Sequence, residues 1–524
     1  MSLEEFLHNL HFDINKVSPP DWEVDWEDAP LTYKLYRGLP VTPLSAEVPL
    51  SLDGKEEPNK LDLRGIGHFL WHVYGLNQFS QTVFAADSSD EATESIQSCR
   101  RFVPSGGGLY PNELYIYLKV EELPTGVYHY DVAHHRLVLL REGDFDCYIA
   151  SSLGNRSDMS ACFGTVFITT MFWKNFYKYN NFSYRLQGLD AGVLIGQLLE
   201  VSKRFCFDSG VYFQFLDRAV NHLIGLTEQE ESVYAVIPLS VETGFSTNVS
   251  SADGVVYADE LSRELPTIHT DHYVKSRTVL EYPMLTKMNE ASMLESTESF
   301  CPSVSEESSP YDSQSLALPR MNRLSYDLSA ICRKRFSPEM NFVLEKVSQS
   351  QLASLLQEAM SAFSYRNDLD GANLKKGSRV SLYGSFYNVE GIPNGAYYYD
   401  VASHSLQLIQ SGDLRLPLQN GMSLDNVNLF QVPLCLHVSG NKGHYKKSLG
   451  YRGYRIQQME AGMLVQRLLL AASAIGMGGH PLLGFDVNAC DRIYKMESQR
   501  KTSLIQIPIG PYRQRAWLKG SLHN

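Results

Sequence analysis

Residues 121–144 recur almost unchanged at 390–413, and this duplication restricts the possible folds more than any other feature of the chain. The first segment reads EELPTGVYHYDVAHHRLVLLREGD and the second EGIPNGAYYYDVASHSLQLIQSGD, with 13 of 24 residues identical at an offset of 269 and no gap. A further pair, 184–200 and 454–470, agrees at an offset of 270, with 8 of 17 identical. Two matches in one order at nearly one spacing mean that a single folding unit is present twice. The functional question is then which copy carries which part of a site.

The chain has 524 residues, room for two repeats of roughly 200 residues and a connector. The expected division is an irregular lead-in over 1–60, a first repeat over 61–245, a linker over 246–323 and a second repeat over 324–524. Hydrophobic content of 44% with 20% charged residues suits a globular protein with large cores. A net charge of −13 leaves no basic face for broad nucleic-acid binding. The cysteines at 99, 147, 162, 206, 301, 332, 435 and 490 form no CxxC pair, so neither a zinc ribbon nor a disulfide framework is indicated. The opening MSLEEFLHNLHFDINK lacks the basic-then-apolar pattern of a signal peptide, and no apolar run is long enough to span a membrane. A reduced, cytoplasmic enzyme or binding protein is the expectation.

Along the chain, Trp22, Trp26, Pro19, Pro20 and Pro30 mark the lead-in as irregular and packed across a domain surface. Leu63, Ile66, Phe69, Leu70 and Val73 fall at helical spacing, and 347–363 reads as the second copy of that helix. Leu114, Ile116, Leu118 and Val120 alternate as a strand, after which the repeated segment reads as a hairpin. Residues 164–172 suggest a buried strand, 184–205 a long helix, and 231–239 and 503–510 matching final strands. Between 289 and 312 there are seven serines, six acidic residues and no Lys or Arg, which predicts a mobile connector. Helices packed on a largely antiparallel sheet make the class α+β.

Several stretches can carry chemistry. PSGGGLYP at 104–111 bares backbone N–H groups to an anionic or carbonyl oxygen, although three glycines also suit a plain turn. The second copy has NLKK at 373–376 in that place, and a turn needed only for folding should have survived in both copies. RKRF at 333–336 offers Arg333 and Arg335 as a phosphate clamp, or a solvated basic cluster; Arg37 is its weak counterpart in the first copy. GMGG at 476–479, including Gly478 and Gly479, either caps the second long helix or lets amides approach a ligand; the first copy has FDSG at 207–210. Lys178 and Tyr179 precede Arg185, where the second copy has Ser448 and Leu449 ahead of Arg455. An amine and a phenol side by side can serve as base and proton relay if burial lowers the lysine, or can be an ordinary surface pair. His129, His134 and His135 lack metal-ligand spacing and read as strand and turn residues.

PSGGGLYPNELYIYL, the GxYxYD hairpin, KYxxxxxYR and the AG-bearing helix together resemble the SagB/ThcOx-type dehydrogenases of the nitroreductase superfamily. The likeness covers about 100–240 and 325–515. It implies two nitroreductase-like domains forming an intrachain pseudo-dimer, with FMN at the interface. The family draws its arginine motif, post-helix glycines and C-terminal basic residues from one protomer and its Pro-Ser loop from the other. Here the second copy keeps Arg333, Arg335, Gly478, Gly479 and Arg513 or Arg515, while the first keeps Pro104, Ser105, Gly106 and Gly107 with Lys178 and Tyr179. One composite site with one FMN per chain follows, no metal being implied. The arginines would hold the flavin phosphate and the loop amides the isoalloxazine.

Azoline dehydrogenases of this family oxidise thiazoline or oxazoline rings in peptides to thiazoles or oxazoles. A base removes a ring proton as hydride passes to the flavin, and oxygen reoxidises it. The matching pair here is Lys178 and Tyr179. The implied partners are an azoline-containing peptide, ribosomal or carrier-bound, and a cyclodehydratase or peptide synthetase. The alternatives are an NAD(P)H-dependent nitro or quinone reductase and a non-catalytic, flavin-binding docking subunit.

Overall fold

The repeated segment forms the same hairpin twice, Gly126–Asp131 with Arg136–Glu142 and Gly395–Asp400 with Ser405–Ser411. In each, a tyrosine hydroxyl meets the Nδ1 of the histidine five residues on, Tyr130 with His135 at 2.8 Å and Tyr399 with His404 at 2.7 Å. Those histidines hold positive φ, 47° and 51°. Asp131 and Asp400 accept from the amides of Ala133 and Ala402 in the turn. The identical residues of the repeat therefore close a turn.

The computed structural model describes residues 1–53, 61–84, 94–242, 254–302, 304, 315–370, 378–514 and 518–521. Each copy builds a mainly antiparallel sheet of one design. In the first, the hairpin is followed by Asn112–Leu118, Gly164–Met171, Glu231–Ser240 and Asp208–Val211; in the second, by Val380–Phe386, Leu434–Asn441, Lys501–Gly510 and Gly478–Gly479. The central strands are buried along nearly their whole length, as their mainly apolar sequences require. Among the described residues no helix is long and apolar enough to cross a membrane.

The copies meet along their long helices, Ser183–Arg204 and Arg452–Ala474. A Cβ on Gly192 would lie 1.9 Å from the Met459 carbonyl oxygen, and a Cβ on Gly462 would lie 2.1 Å from that of Leu189. Each glycine thus admits the other helix's backbone, and the four residues are two pairs separated by the 270-residue offset. The rings of Tyr184 and Tyr454, a third such pair, stack 5.8 Å apart at 12°. The copies also exchange strands. Arg366–Asn367 extends the first sheet in parallel beside Asp208–Val211, and Leu518–Ser521 joins the first copy's hairpin of Leu76–Phe84 and Glu94–Arg101.

Two expectations require correction. The lead-in opens with a regular helix, Leu3–Phe12, because Ser2 caps it and Phe6, Leu7 and Leu10 give it a buried face. The connector is folded as far as Pro302: Asn289 and Ser292 are buried, and Leu294 bridges to Leu216. Its composition is that of a solvated chain, yet its polar groups find partners on both copies; the remainder of the expected 289–312 segment, apart from Val304, lies outside the described residues.

The helix crossing makes a specific prediction. Gly192→Ala should lower stability by about 3 kcal/mol or more, since backbone must move to admit one methyl. Gly196→Ala, whose nearest neighbours are 3.3 Å away, should cost far less. Equal losses in urea unfolding would contradict the close crossing.

Candidate functional site

The glycine loop is held by a carboxylate from the first long helix. Ser105 donates from Oγ to Asp190 Oδ2 at 2.6 Å, the Gly106 amide donates to Oδ1 at 3.1 Å, and the Tyr110 amide donates to Ser105 Oγ at 2.9 Å. Gly107 and Gly108 have φ of 66° and 71°, so two successive residues need the left-handed region that glycine enters without strain. Tyr110 is itself at φ 48° and is fixed from several sides. Its hydroxyl accepts from the Arg101 amide at 3.1 Å, and Lys174 Nζ, buried in an ion pair with Glu113, donates to its carbonyl at 3.3 Å. Burial raises Asp190 to about 6, against the hydrogen bonds that favour its charge.

Lys178 and Tyr179 end the short helix Trp173–Tyr179, which stops where Asn180 takes φ 47°. They stand over the loop: a Cβ on Gly107 would lie 2.5 Å from the Tyr179 hydroxyl and 3.0 Å from Lys178 Nζ. Burial lowers the Lys178 pKa, whereas burial and then the Asp190 charge raise Tyr179 to about 12. Lys178 Nζ lies 5.1 Å from the ring centroids of both Trp26 and Tyr179, and the Trp22 indole donates to the Lys178 carbonyl at 3.3 Å. The lead-in thus forms part of the wall.

The second copy enters through Arg335. This side chain is 5% exposed, and its Nε is buried without a hydrogen-bond partner. Arg100, from the basic pair before the loop, donates from Nη2 to the Arg335 carbonyl at 2.7 Å. Burial, then the Arg100 guanidinium, pull Arg335 down to about 9, with Tyr110 and Cys332 acting weakly in the other direction. No carboxylate among the described residues counters this repulsion in either arginine. Arg101 is also buried, its guanidinium between the rings of Tyr74 and Tyr110 at 4.1 and 4.6 Å, with Nε and Nη1 unpartnered. A buried cluster of this sign calls for an anion.

The other expected residues are placed as follows. Arg333 lies in the last turn of the helix Leu328–Lys334 and donates to the Leu50 carbonyl at 2.7 Å, so Arg100, not Arg333, is the cation that acts on Arg335. Gly478 and Gly479 form an edge strand beside Lys501–Gly510; a Cβ on Gly478 would lie 2.5 Å from Pro338 and 3.0 Å from Tyr512. Tyr512 in turn feels the Arg100 charge. The Arg513 amide donates to the Asn341 carbonyl at 2.9 Å while its side chain is exposed, and Arg515 lies outside the described residues. Pro104, Ser105, Gly106, Gly107, Lys178 and Tyr179 are brought together, and the loop joins Arg335 through Arg100 and Tyr110.

The pseudo-symmetric position is built differently. Glu460 stands 270 residues after Asp190, but Arg379 binds it with contacts of 2.6 and 3.0 Å. The loop counterpart at 373–376 lies outside the described residues. Asp190 and Arg100 were missed as site residues from sequence. The signal for Asp190 was an acid in both copies of the long helix, and that for Arg100 was the basic pair ahead of the glycines.

The nitroreductase family model matches residues 84–239 and 333–510, one segment in each copy. The chain belongs to the nitroreductase family. It is 31% identical over 140 residues to the trifolitoxin-processing protein TfxB of Rhizobium leguminosarum bv. trifolii, an alignment covering 25% of this chain and 37% of that one. It is 25% identical over 131 residues to a candidate nitroreductase of Methanocaldococcus jannaschii, covering 25% and 64%. The chain therefore spans less than two thirds of either relative. A crystal structure of a candidate nitroreductase from Anabaena variabilis superposes with TM-score 0.74 at 19% identity, covering 98% of this chain and 99% of that one. The two-copy fold thus recurs in full in a solved structure.

Nitroreductase-family proteins are oxidoreductases that typically bind flavin. The residues present fit such a group: buried, unpartnered guanidinium nitrogens suit a phosphate, and a glycine loop without side chains suits a flat ring.

Asp190 gives a pH test. Its folded pKa is raised, so its charged form costs stability as pH climbs from about 4 to about 6, and the cost is constant above that. The stability of Asp190→Asn relative to the parent should rise across that window and then level off. A flat difference in urea unfolding between about pH 4 and 7 would contradict the assigned burial.

Proposed function

We propose that the chain is an FMN-dependent dehydrogenase that converts thiazoline or oxazoline rings of a peptide into thiazoles or oxazoles, with oxygen as the final acceptor. The observation that carries this reading is the convergence of Lys178, Tyr179 and the Ser105–Asp190 loop with the half-buried Arg100 and the buried Arg335. Similarity to a trifolitoxin-processing protein over a quarter of the chain supports a peptide substrate.

Arg335 and Arg100 would hold the FMN phosphate, with Gly478 and Gly479 on the same side and Arg513 or Arg515 as a further cation, and the loop of residues 104–107 would face the ring. When bound, the flavin supplies the hydride acceptor of a two-electron oxidation. Lys178, biased by burial toward the neutral amine, takes the ring proton at Nζ. Tyr179 stays protonated at neutral pH and can relay a proton only by giving up its own as it accepts one. Trp26, 60% exposed beside Lys178, offers an aromatic face on which a five-membered heterocycle can stack as it enters. The peptide would arrive free or from a cyclodehydratase or a synthetase carrier.

Purified protein should be yellow with one FMN per chain; two, or none, would sink the composite site. Lys178→Ala should keep its flavin and lose thiazoline oxidation by about 10²- to 10⁴-fold, whereas full activity would remove the base assignment. Rapid bleaching by NADPH would favour a nitro or quinone reductase instead. Arg335→Met should weaken FMN binding about thirtyfold or more. The same change should raise the thermal stability of the flavin-free protein, because a buried repulsion is gone. Loss of both properties together would argue that Arg335 is a packing residue.

A further inference from the structure

A cavity of about 220 Å³ lies where the connector crosses the second copy. Ser448, Leu449 and Gly450 line one side of it; Ser448 and Leu449 are the counterparts of Lys178 and Tyr179. The cavity thus adjoins the segment of the second copy in which the amine and the phenol are absent. Connector residues Ser292, Met293, Leu294 and Ser299 contribute other parts of the wall.

The charge of this wall is unbalanced. Arg452 lines the cavity and is 1% exposed. Its Nη1 donates to both oxygens of Asp217, at 2.8 and 2.6 Å, and to the Ser292 carbonyl at 2.9 Å, while Nε donates to the Phe213 carbonyl at 2.5 Å. Nη2 is buried without a partner. Arg455 shares the same carboxylate at 3.2 Å, and its Nε is likewise unpartnered. Two guanidinium groups therefore stand against one carboxylate. The next acid that acts on Arg452, Asp368, is bound to Arg156 at 3.1 Å. One positive charge is left over, with a free donor on a residue of the cavity wall. The wall is otherwise mixed, with Met293, Leu294 and Leu449 apolar and Gln214 already bound to the backbone of Cys301.

We propose that this cavity binds a monoanionic carboxylate with a short apolar body, of the kind presented by an N-acylated amino acid or by the C-terminal residue of a peptide. A single excess charge matches one carboxylate better than a dianionic phosphate, the unpartnered Arg452 Nη2 is a donor for it, and the apolar wall seats the side chain. The proposal is independent of the flavin reading.

Titration calorimetry on the full chain tests it with N-acetyl-leucine, N-acetyl-leucinamide and inorganic phosphate. The acid should bind one to one and the amide should not. Ser448→Glu and Ser299→Glu, at exposed positions of the cavity lining, should each weaken the acid about tenfold or more by like-charge repulsion. Any one of four results would overturn the proposal: no binding of the acid up to about 10 mM, equal binding of acid and amide, full affinity in both variants, or tighter binding of phosphate.

Discussion

Two helix backbones touch at Gly192 and Gly462, and the placement of everything chemical in this protein depends on that contact. A side chain at either position would push the helices apart by the width of a methyl group. Asp190, which holds the first copy's loop, and its counterpart Glu460 each sit half a turn before the crossing glycine. Close approach therefore does more than bury area. It sets how far the first copy's loop stands from the second copy's Arg335, a distance that neither copy alone could define.

From that shared axis the two halves diverge. At one position the carboxylate holds a serine and a glycine amide, leaving an open loop beside two uncompensated arginines. At the other, Arg379 pairs with the corresponding carboxylate and donates to the connector carbonyl of Val304. The physical logic is a trade between function and stability. Buried like charges and the raised Asp190 carboxylate cost the first site free energy when it is empty, whereas in the second copy Arg379 pairs with the equivalent Glu460.

Much of this was legible in the sequence, for reasons that can be named. The duplicated hairpin exposed the architecture because its Tyr-Asp-His turn depends on contacts within a few residues. The strands at 164–171, 231–240 and 501–510 are rich in apolar and β-branched residues whose burial leaves few alternatives. The glycine loop was visible because two successive left-handed residues leave a compositional trace. What stayed hidden was long-range. Arg100 and Arg335 are separated by most of a domain, and only the fold brings them together. The connector looked unstructured because a polar segment that finds partners on two other surfaces has the same composition as one that finds none. The helix at 3–12 lay in a stretch whose prolines and tryptophans, farther on, coloured the reading of the whole.

The strand exchange bears on how such a chain is made. The hairpin that ends in Arg101 presents its outer edge to Leu518–Ser521, a strand encoded about four hundred residues later. At ordinary elongation rates, roughly 20–80 s pass between the appearance of the edge and that of its cover. During synthesis the first copy therefore carries an open strand edge, the form most prone to pairing with a neighbouring chain. Fusing two copies removes the need to find a partner by diffusion, and replaces it with a period in which the unfinished molecule has to be kept from the wrong one.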